Sequence, residues 1–135
     1  FAAMSSVAGR VASPRTAVYN ASKFAVNGFC EGAYYELADR GVSMTVIMPG
    51  FIESEIHRID KYGRYHEDAK GIAPPWIMMP APKAARIMVD AIYKRKAEAV
   101  VTGHGKAIVF MNRHFPRTVR TLFRLGSRGK FGSRG

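Results

Sequence analysis

A tyrosine and a lysine stand four residues apart in the stretch AVYNASKFAV, residues 17 to 26. Residues at this spacing are neighbours on one face of a helix, so the Tyr19 phenol and the Lys23 ammonium lie close together if the stretch is helical. A phenol is a poor acid near neutral pH, and an adjacent positive charge stabilises its phenolate. The pair is therefore chemically suited to proton transfer, although the same spacing also occurs where a packed ring lies beside a solvated ammonium.

Ser6 adds a hydroxyl shortly before this pair. It is the last residue of the stretch FAAMSS, which predicts the end of a buried strand, and open parallel sheets bind ligands outside the carboxyl ends of their strands. A serine there can hold a substrate oxygen and stabilise charge that develops on it. With an ammonium able to donate to the sugar hydroxyls of a cofactor, the three groups suit the joint transfer of a hydride and a proton.

A long helix must carry the tyrosine and the lysine. The pattern predicts that it starts after Pro14 and runs to about Arg40, where Gly41 permits a left-handed stop. Gly28 and Gly32 leave room for another element, so we expect the helix to be buried on more than one side. VSMTVIM, closed by a Pro-Gly pair, then predicts a second strand, and strand, helix and strand in this order favour a right-handed parallel crossover.

Residues 51 to 81 form a long connection without a firm period, apart from a possible short helix from Ser54 to Lys61. A connection of this length in a compact domain is more often a lid or binding loop than a spacer. Five of its side chains either line an apolar pocket or cover the core beneath the loop: Tyr62, Tyr65, Trp76, Ile77 and Met78.

The last third of the chain predicts further helices and one strand. Residues 82 to 96 form a helix that ends in the basic KRK, which suits a helix carboxyl end, and AEAVVTG is a third short strand. KAIVFMNRHF and RTVRTLFRL are helical candidates separated by Pro116. The final ten residues, GSRGKFGSRG, have little to bury and are expected to be disordered.

The combination of SSVAG, Pro14, YNASK and a strand ending in Pro-Gly resembles the short-chain dehydrogenase/reductase family. The matching segment covers residues 2 to 54, and the order of elements continues to about residue 115. The resemblance implies an α/β fold with a doubly wound, Rossmann-type parallel sheet. The family's phosphate-binding loop, TGxxxGxG, does not occur in these 135 residues. The chain starts at Phe1 inside strand-like sequence, and we interpret it as a cut chain that lacks the N-terminal βαβ units.

This interpretation divides the chain into three parts. Residues 1–115 are the C-terminal half of a family domain, with 51–81 as the substrate loop. Residues 116–125 are a basic amphipathic helix, and residues 126–135 are a disordered tail.

The resemblance also implies a role for each matching residue. Ser6 would orient and polarise the substrate oxygen, Tyr19 would be the general acid in reduction and the general base in oxidation, and Lys23 would bind the nicotinamide ribose and favour the phenolate. The Pro-Gly turn passes the nicotinamide in the family, and Ser54 stands where relatives commonly have threonine. The implied cofactor-binding residues are Tyr19, Lys23, Pro49, Gly50, Ile52 and Ser54.

The implied activity is NAD(P)-dependent interconversion of an alcohol and a ketone or aldehyde by hydride transfer. NADP is favoured over NAD as the cofactor, although the region that decides between them does not occur in this sequence. We expect a small apolar alcohol or carbonyl substrate, and a homo-oligomer, because the long helix forms part of the dimer interface in many relatives. Without the phosphate-binding loop, the isolated chain is expected to show little or no turnover, and an inactive truncated product is an alternative.

The net charge of +11 is unevenly distributed, because Glu98 is the last acidic residue and eight basic residues follow it. In RTVRTLFRL the arginines lie opposite the apolar side chains, which suits an anionic membrane surface or a partner groove. The other interpretation is a helix that packs its apolar side on the domain and solvates its arginines. No base-reading motif accompanies the charge, so no specific nucleic-acid partner is expected.

Other classes of site are not supported by the sequence. The single cysteine, Cys30, excludes an intrachain disulfide, and no Cys/His cluster has metal-ligand spacing. No window approaches the roughly 18 apolar residues of a membrane span, and the start shows no signal-peptide pattern. We therefore expect a cytoplasmic protein, with peripheral membrane contact as the alternative. Four histidines are interpreted as surface or structural residues: His57, His66, His104 and His114.

Overall fold

The computed structural model of the protein describes residues 1–55, 58–59, 62–67 and 73–128. Strands and helices alternate through most of these ranges, as the sequence predicts for an α/β fold. The elements are β1 (Ala2–Met4), α1 (Ala17–Ala38), β2 (Thr45–Met48), α2 (Ala81–Tyr93), β3 (Glu98–Val100), α3 (Gly103–His114) and α4 (Pro116–Arg128).

The described strands form a parallel sheet in the order β1-β2-β3. All four residues of the central strand β2 are buried, because each face of the sheet is covered by a helix. On the α1 side the buried cluster consists of Cys30, Met44, Val46 and Met48. On the α2 side it consists of Ile47, Ala84, Ala91 and Val101. The predicted parallel arrangement of the first two strands is confirmed.

The predicted carboxyl end of α1 is also confirmed. Gly41 has a φ of +70°, which a residue without a Cβ adopts at little cost. The Val42 N–H donates to the Leu37 carbonyl at 3.3 Å, which satisfies one of the otherwise unpaired carbonyls of the last turn. The chain therefore leaves the helix where the sequence predicts and returns to form β2.

The expectation that α1 is buried on more than one side is wrong for the described residues. Val18 is 85% and Phe29 70% exposed, and a Cβ added at Gly28 or Gly32 would meet nothing within 4 Å. The glycines therefore accommodate no neighbouring element here. β1 was likewise expected to be buried, but it lies at the edge of the three-stranded sheet, with Met4 exposed.

The carboxyl-terminal elements match their predicted types but not all of their limits. Pro116 is the first residue of α4, where its missing N–H leaves no hydrogen bond unmade. The helix runs three residues beyond the predicted limit, so the proposed tail begins inside it, and residues 129–135 lie outside the described residues. The short helix expected from Ser54 to Lys61 also falls partly outside them. No helix in the described ranges is long and apolar enough to cross a membrane.

Candidate functional site

The segments that follow β1 and β2 run side by side at the carboxyl end of the sheet. The Val7 N–H donates to the Pro49 carbonyl at 2.9 Å. Ser6 begins a short 3-10 turn, Val7–Gly9, and its Oγ accepts the Ala8 N–H at 3.1 Å. The Ser6 hydroxyl lies 3.5 Å from the Pro49 carbonyl, a long and weak hydrogen bond. Its oxygen is therefore fixed in place while its proton is only loosely held.

The first turns of α1 bring Tyr19 and Lys23 to the same end of the sheet. The Lys23 Nζ lies 5.7 Å from the centre of the Tyr19 ring and donates to the Met4 carbonyl at 3.3 Å. Met4 is the last residue of β1, so the ammonium lies between the strand end and the phenol. Tyr19 is half-exposed, which leaves its ring accessible to a ligand. The structure thus brings together the two residues that the spacing predicts as neighbours, and their catalytic roles stay predictions.

Two buried polar residues that the sequence analysis missed hold α1 against this end of the sheet. Ser5 Oγ donates to the Lys23 carbonyl at 3.1 Å, and Asn27 Nδ2 donates to the Gly9 carbonyl at 2.8 Å. A Cβ on Gly9 would come within 2.7 Å of the Lys23 carbonyl, so only glycine permits this approach. The polar Asn27 inside the apolar stretch AVNGF was the available signal.

The turn Pro49-Gly50-Phe51 is held in place by His104. The His104 Nε2 accepts the Phe51 N–H at 3.0 Å, and the two rings stack with centres 5.4 Å apart. A Cβ on Gly50 would collide with Thr102 Oγ1 and His104 Nε2, so the turn requires glycine for this packing. His104 was interpreted only as a surface or structural histidine, and the structure gives it a definite structural role at this turn.

The protonation state of His104 follows from these contacts. Because Nε2 accepts a hydrogen bond from an amide, the ring is neutral with its proton on Nδ1. Burial lowers the pKa of His104, which favours the same neutral form. The turn beside the candidate site is thus bound by a group that titrates below its ordinary range.

The remaining residues that the sequence predicts for the cofactor site and the substrate loop do not come together in one place. Ile52 forms a bridge with Met79 and packs against the α2-side core cluster, so its side chain serves the core. Ser54 is exposed. Tyr62 and Trp76 are also exposed and do not cover the core, whereas Ile77 and Met78 are half-buried.

A cavity of about 540 Å³ lies elsewhere, between α1 and α3. Its strand residues, Val46 and Glu98, lie near the amino-terminal ends of β2 and β3. Ser6, Tyr19 and Lys23 do not line it. Ligands of open parallel sheets bind at the opposite end, so we assign no catalytic role to this cavity. Across the described ranges no three potential metal ligands come together.

Comparison with known proteins points to one family. A family model described as short chain dehydrogenase matches residues 2–61. "Dehydrogenase/reductase SDR family protein 7-like" of Drosophila melanogaster is 27% identical over 118 residues, which are 82% of this chain and 34% of that protein.

Two solved structures show the same fold. A short chain dehydrogenase from Burkholderia cenocepacia in complex with NADP matches with a TM-score of 0.74 and 23% identity, over 90% of this chain and 46% of that one. A short chain dehydrogenase/reductase from Burkholderia phymatum in complex with NAD matches with a TM-score of 0.66 and 22% identity, over 87% of this chain and 47% of that one.

The chain spans about a third of the Drosophila relative and less than half of either solved chain. The family model covers residues 2–61 only, which argues against assigning this chain to the C-terminal half of a family domain. That part of the interpretation from sequence is therefore withdrawn.

Proposed function

Because the chain belongs to the short-chain dehydrogenase/reductase family, we propose that this protein is an NAD(P)-dependent oxidoreductase that interconverts an alcohol and a ketone or aldehyde. One observation carries the proposal. The Lys23 ammonium lies between the Tyr19 ring and the carboxyl end of β1, where Ser6 follows. A phenol, a cation and a hydroxyl at the ligand-binding end of a parallel sheet are the groups that proton transfer to a carbonyl oxygen needs.

The residues at this end of the sheet fit the nicotinamide half of such a cofactor. Lys23 has three N–H donors and its bond to Met4 uses one, so the others are available to ribose hydroxyls. The absence of a side chain at Gly50 keeps the turn close to the strand ends. NADP and NAD are each present in a solved structure of the same fold, which supports either cofactor. A bound nicotinamide supplies or accepts the hydride.

The three side chains orient the substrate, transfer the proton and stabilise the charge that forms. The Ser6 hydroxyl donates to the substrate oxygen, because its bond to the Pro49 carbonyl is long and easily exchanged. The Tyr19 hydroxyl gives a proton to that oxygen in reduction and takes it back in oxidation. The Lys23 charge stabilises the phenolate that forms in between. The contacts of Ser6 with Pro49 and of Lys23 with Met4, at the carboxyl ends of β1 and β2, support these roles.

We further propose a small apolar alcohol or carbonyl compound as the substrate and a second copy of the chain as a partner along α1. The exposed apolar side chains Val18, Phe29 and Tyr35 support that pairing. Sedimentation of the natural polypeptide that contains these residues tests it, since a strictly monomeric species contradicts the pairing.

The decisive experiment for activity is Tyr19→Phe in the natural polypeptide, because the change removes only the hydroxyl. Turnover of a panel of apolar aldehydes and ketones with NADPH or NADH is expected to fall by a factor on the order of 10² to 10⁴. The decrease in reduced-cofactor absorbance measures it, and circular dichroism checks the fold. Tyr93→Phe, which removes an exposed hydroxyl at the end of α2, is the matched control. Near-native rates in the Tyr19→Phe protein would refute the assigned role.

A further inference from the structure

Helix α4 presents an apolar surface that the proposed reaction does not use. The helix attaches to the protein through Val119, which is 3% exposed, and partly through Phe123. Leu122 and Leu125 are 61% and 57% exposed. Successive helical residues are about 100° apart, so Leu122 lies about 60° and Leu125 about 120° from the buried Val119. The apolar surface of the helix therefore continues from the protein contact out into solvent.

Three arginines border the leucines on the same helix. Arg117, Arg120 and Arg124 are exposed and also lie within about 60° of one another. In the part of the chain that the structure describes, no carboxylate lies within ion-pair distance of them. No acidic residue follows Glu98 in the sequence, so neither α3 nor α4 supplies a counter-charge. The arginines are thus unneutralised cations beside an exposed apolar strip.

We propose that α4 binds the surface of an anionic lipid bilayer, with its arginines on the headgroup phosphates and its two leucines at the acyl boundary. The helix has well-separated polar and apolar faces and a low mean hydropathy, the combination found in helices that lie in a membrane interface. A bilayer offers phosphate charge and an apolar phase together. A nucleic acid offers the charge but no apolar phase for Leu122 and Leu125, and so fits less of the surface.

The geometry makes this a peripheral contact. The helix has 13 residues, too few to span a bilayer, and its buried face is already occupied by the protein. Binding therefore depends on charge attraction together with the burial of two leucines. It should weaken as ionic strength rises, because salt screens exposed charges.

Vesicle flotation of the natural polypeptide tests the proposal. Vesicles of phosphatidylcholine with phosphatidylserine are expected to carry the protein upward at low salt, and pure phosphatidylcholine vesicles are not. Changing all three arginines (R117Q, R120Q and R124Q) should weaken partitioning on the order of a hundredfold, since each basic residue near an anionic surface contributes about fivefold.

Two further variants separate the contributions. A control with the same loss of charge on other exposed residues (R40Q, R86Q and K96Q) is expected to float like the wild type. Leu122→Gln with Leu125→Gln keeps the charge and should lose most of the binding. Flotation that is absent in the wild type, or equal in the two triple variants, would overturn the proposal. So would retention by RNA or an acidic protein without vesicle binding. Turnover is measured separately, so failure here leaves the oxidoreductase proposal standing.

Discussion

At the scale of single residues, His104 couples the turn beside the candidate site to pH. Its Nε2 accepts the Phe51 N–H only in the neutral ring, and burial lowers its pKa, so the unfolded chain takes up the proton first as pH falls. The stability that this contact contributes is therefore fully present above the ordinary histidine pKa of about 6.5. It is lost as pH falls through the lower, folded-state pKa.

The measurement for His104 is a set of denaturant titrations at several pH values, with the Phe51 amide followed by NMR. The wild type is expected to lose stability below about pH 6.5 together with a shift of the Phe51 amide. His104→Gln should remove that part of the pH dependence, whereas His114→Gln on the exposed end of α3 should retain it. An unchanged profile in His104→Gln would show that the contact does not set the pH response.

Contacts between residues of one helix can be predicted from the sequence, whereas contacts between distant segments cannot. Tyr19 and Lys23 are neighbours because helical periodicity is local, so their spacing was sufficient. His104 reaches Phe51 across 53 positions of sequence, and Asn27 reaches Gly9 across 18 positions of sequence. Such pairings depend on how the elements pack, and no local pattern encodes them. The sequence therefore predicted that Tyr19 and Lys23 are neighbours, but not which residues hold α1 and the turn in place.

At the scale of elements, the same substitution by alanine is expected to change the stability of the protein in opposite directions at two glycines. Gly50→Ala places a Cβ against Thr102 and His104 and should destabilise the protein by about 1–3 kcal/mol, because the packed turn must shift. Gly28 lies inside α1 with open space around it. Gly28→Ala should therefore stabilise the protein by about 0.5–1 kcal/mol through its better helix propensity.

Urea denaturation of the Gly50→Ala, Gly28→Ala and wild-type proteins measures the free energy of unfolding of each. The two changes add the same methyl group, so the sign of the difference reports the local environment and not the chemistry of the substitution. If both substitutions changed the free energy of unfolding equally, the turn at Gly50 could accommodate a methyl group despite its close contact with Thr102 and His104.

The ends of helices were predictable from the sequence where local backbone preferences determine them, whereas burial depends on packing between distant elements. Gly41 and Pro116 mark a helix end and a helix start because their backbone preferences are local, and both were predicted. The exposure of α1 was not predicted, because glycines such as Gly28 and Gly32 allow a neighbouring element to pack closely without requiring it.

At the scale of the whole molecule, the question is whether these 135 residues bind a dinucleotide by themselves. We propose that Lys23 donates to the nicotinamide ribose, but TGxxxGxG does not occur among these residues. The pyrophosphate would need backbone N–H groups at a helix start. The start of α3 is already capped, since Thr102 Oγ1 accepts the Gly105 N–H at 3.2 Å. We therefore expect the pyrophosphate to contribute little to cofactor binding by this chain.

The purified 135-residue chain is therefore expected to bind NADPH and NADH with dissociation constants in the millimolar range or weaker and to show little or no carbonyl reduction. Fluorescence titration of each cofactor measures the affinity, and Lys23→Met shows whether any residual binding uses the ribose donor. A control variant, Lys96→Met, removes one exposed positive charge away from the site. Micromolar binding, or reduction of any carbonyl by this chain, would show that other residues take over the phosphate-binding role. Weak binding that only Lys23→Met abolishes would locate the nicotinamide end at the carboxyl ends of β1 and β2.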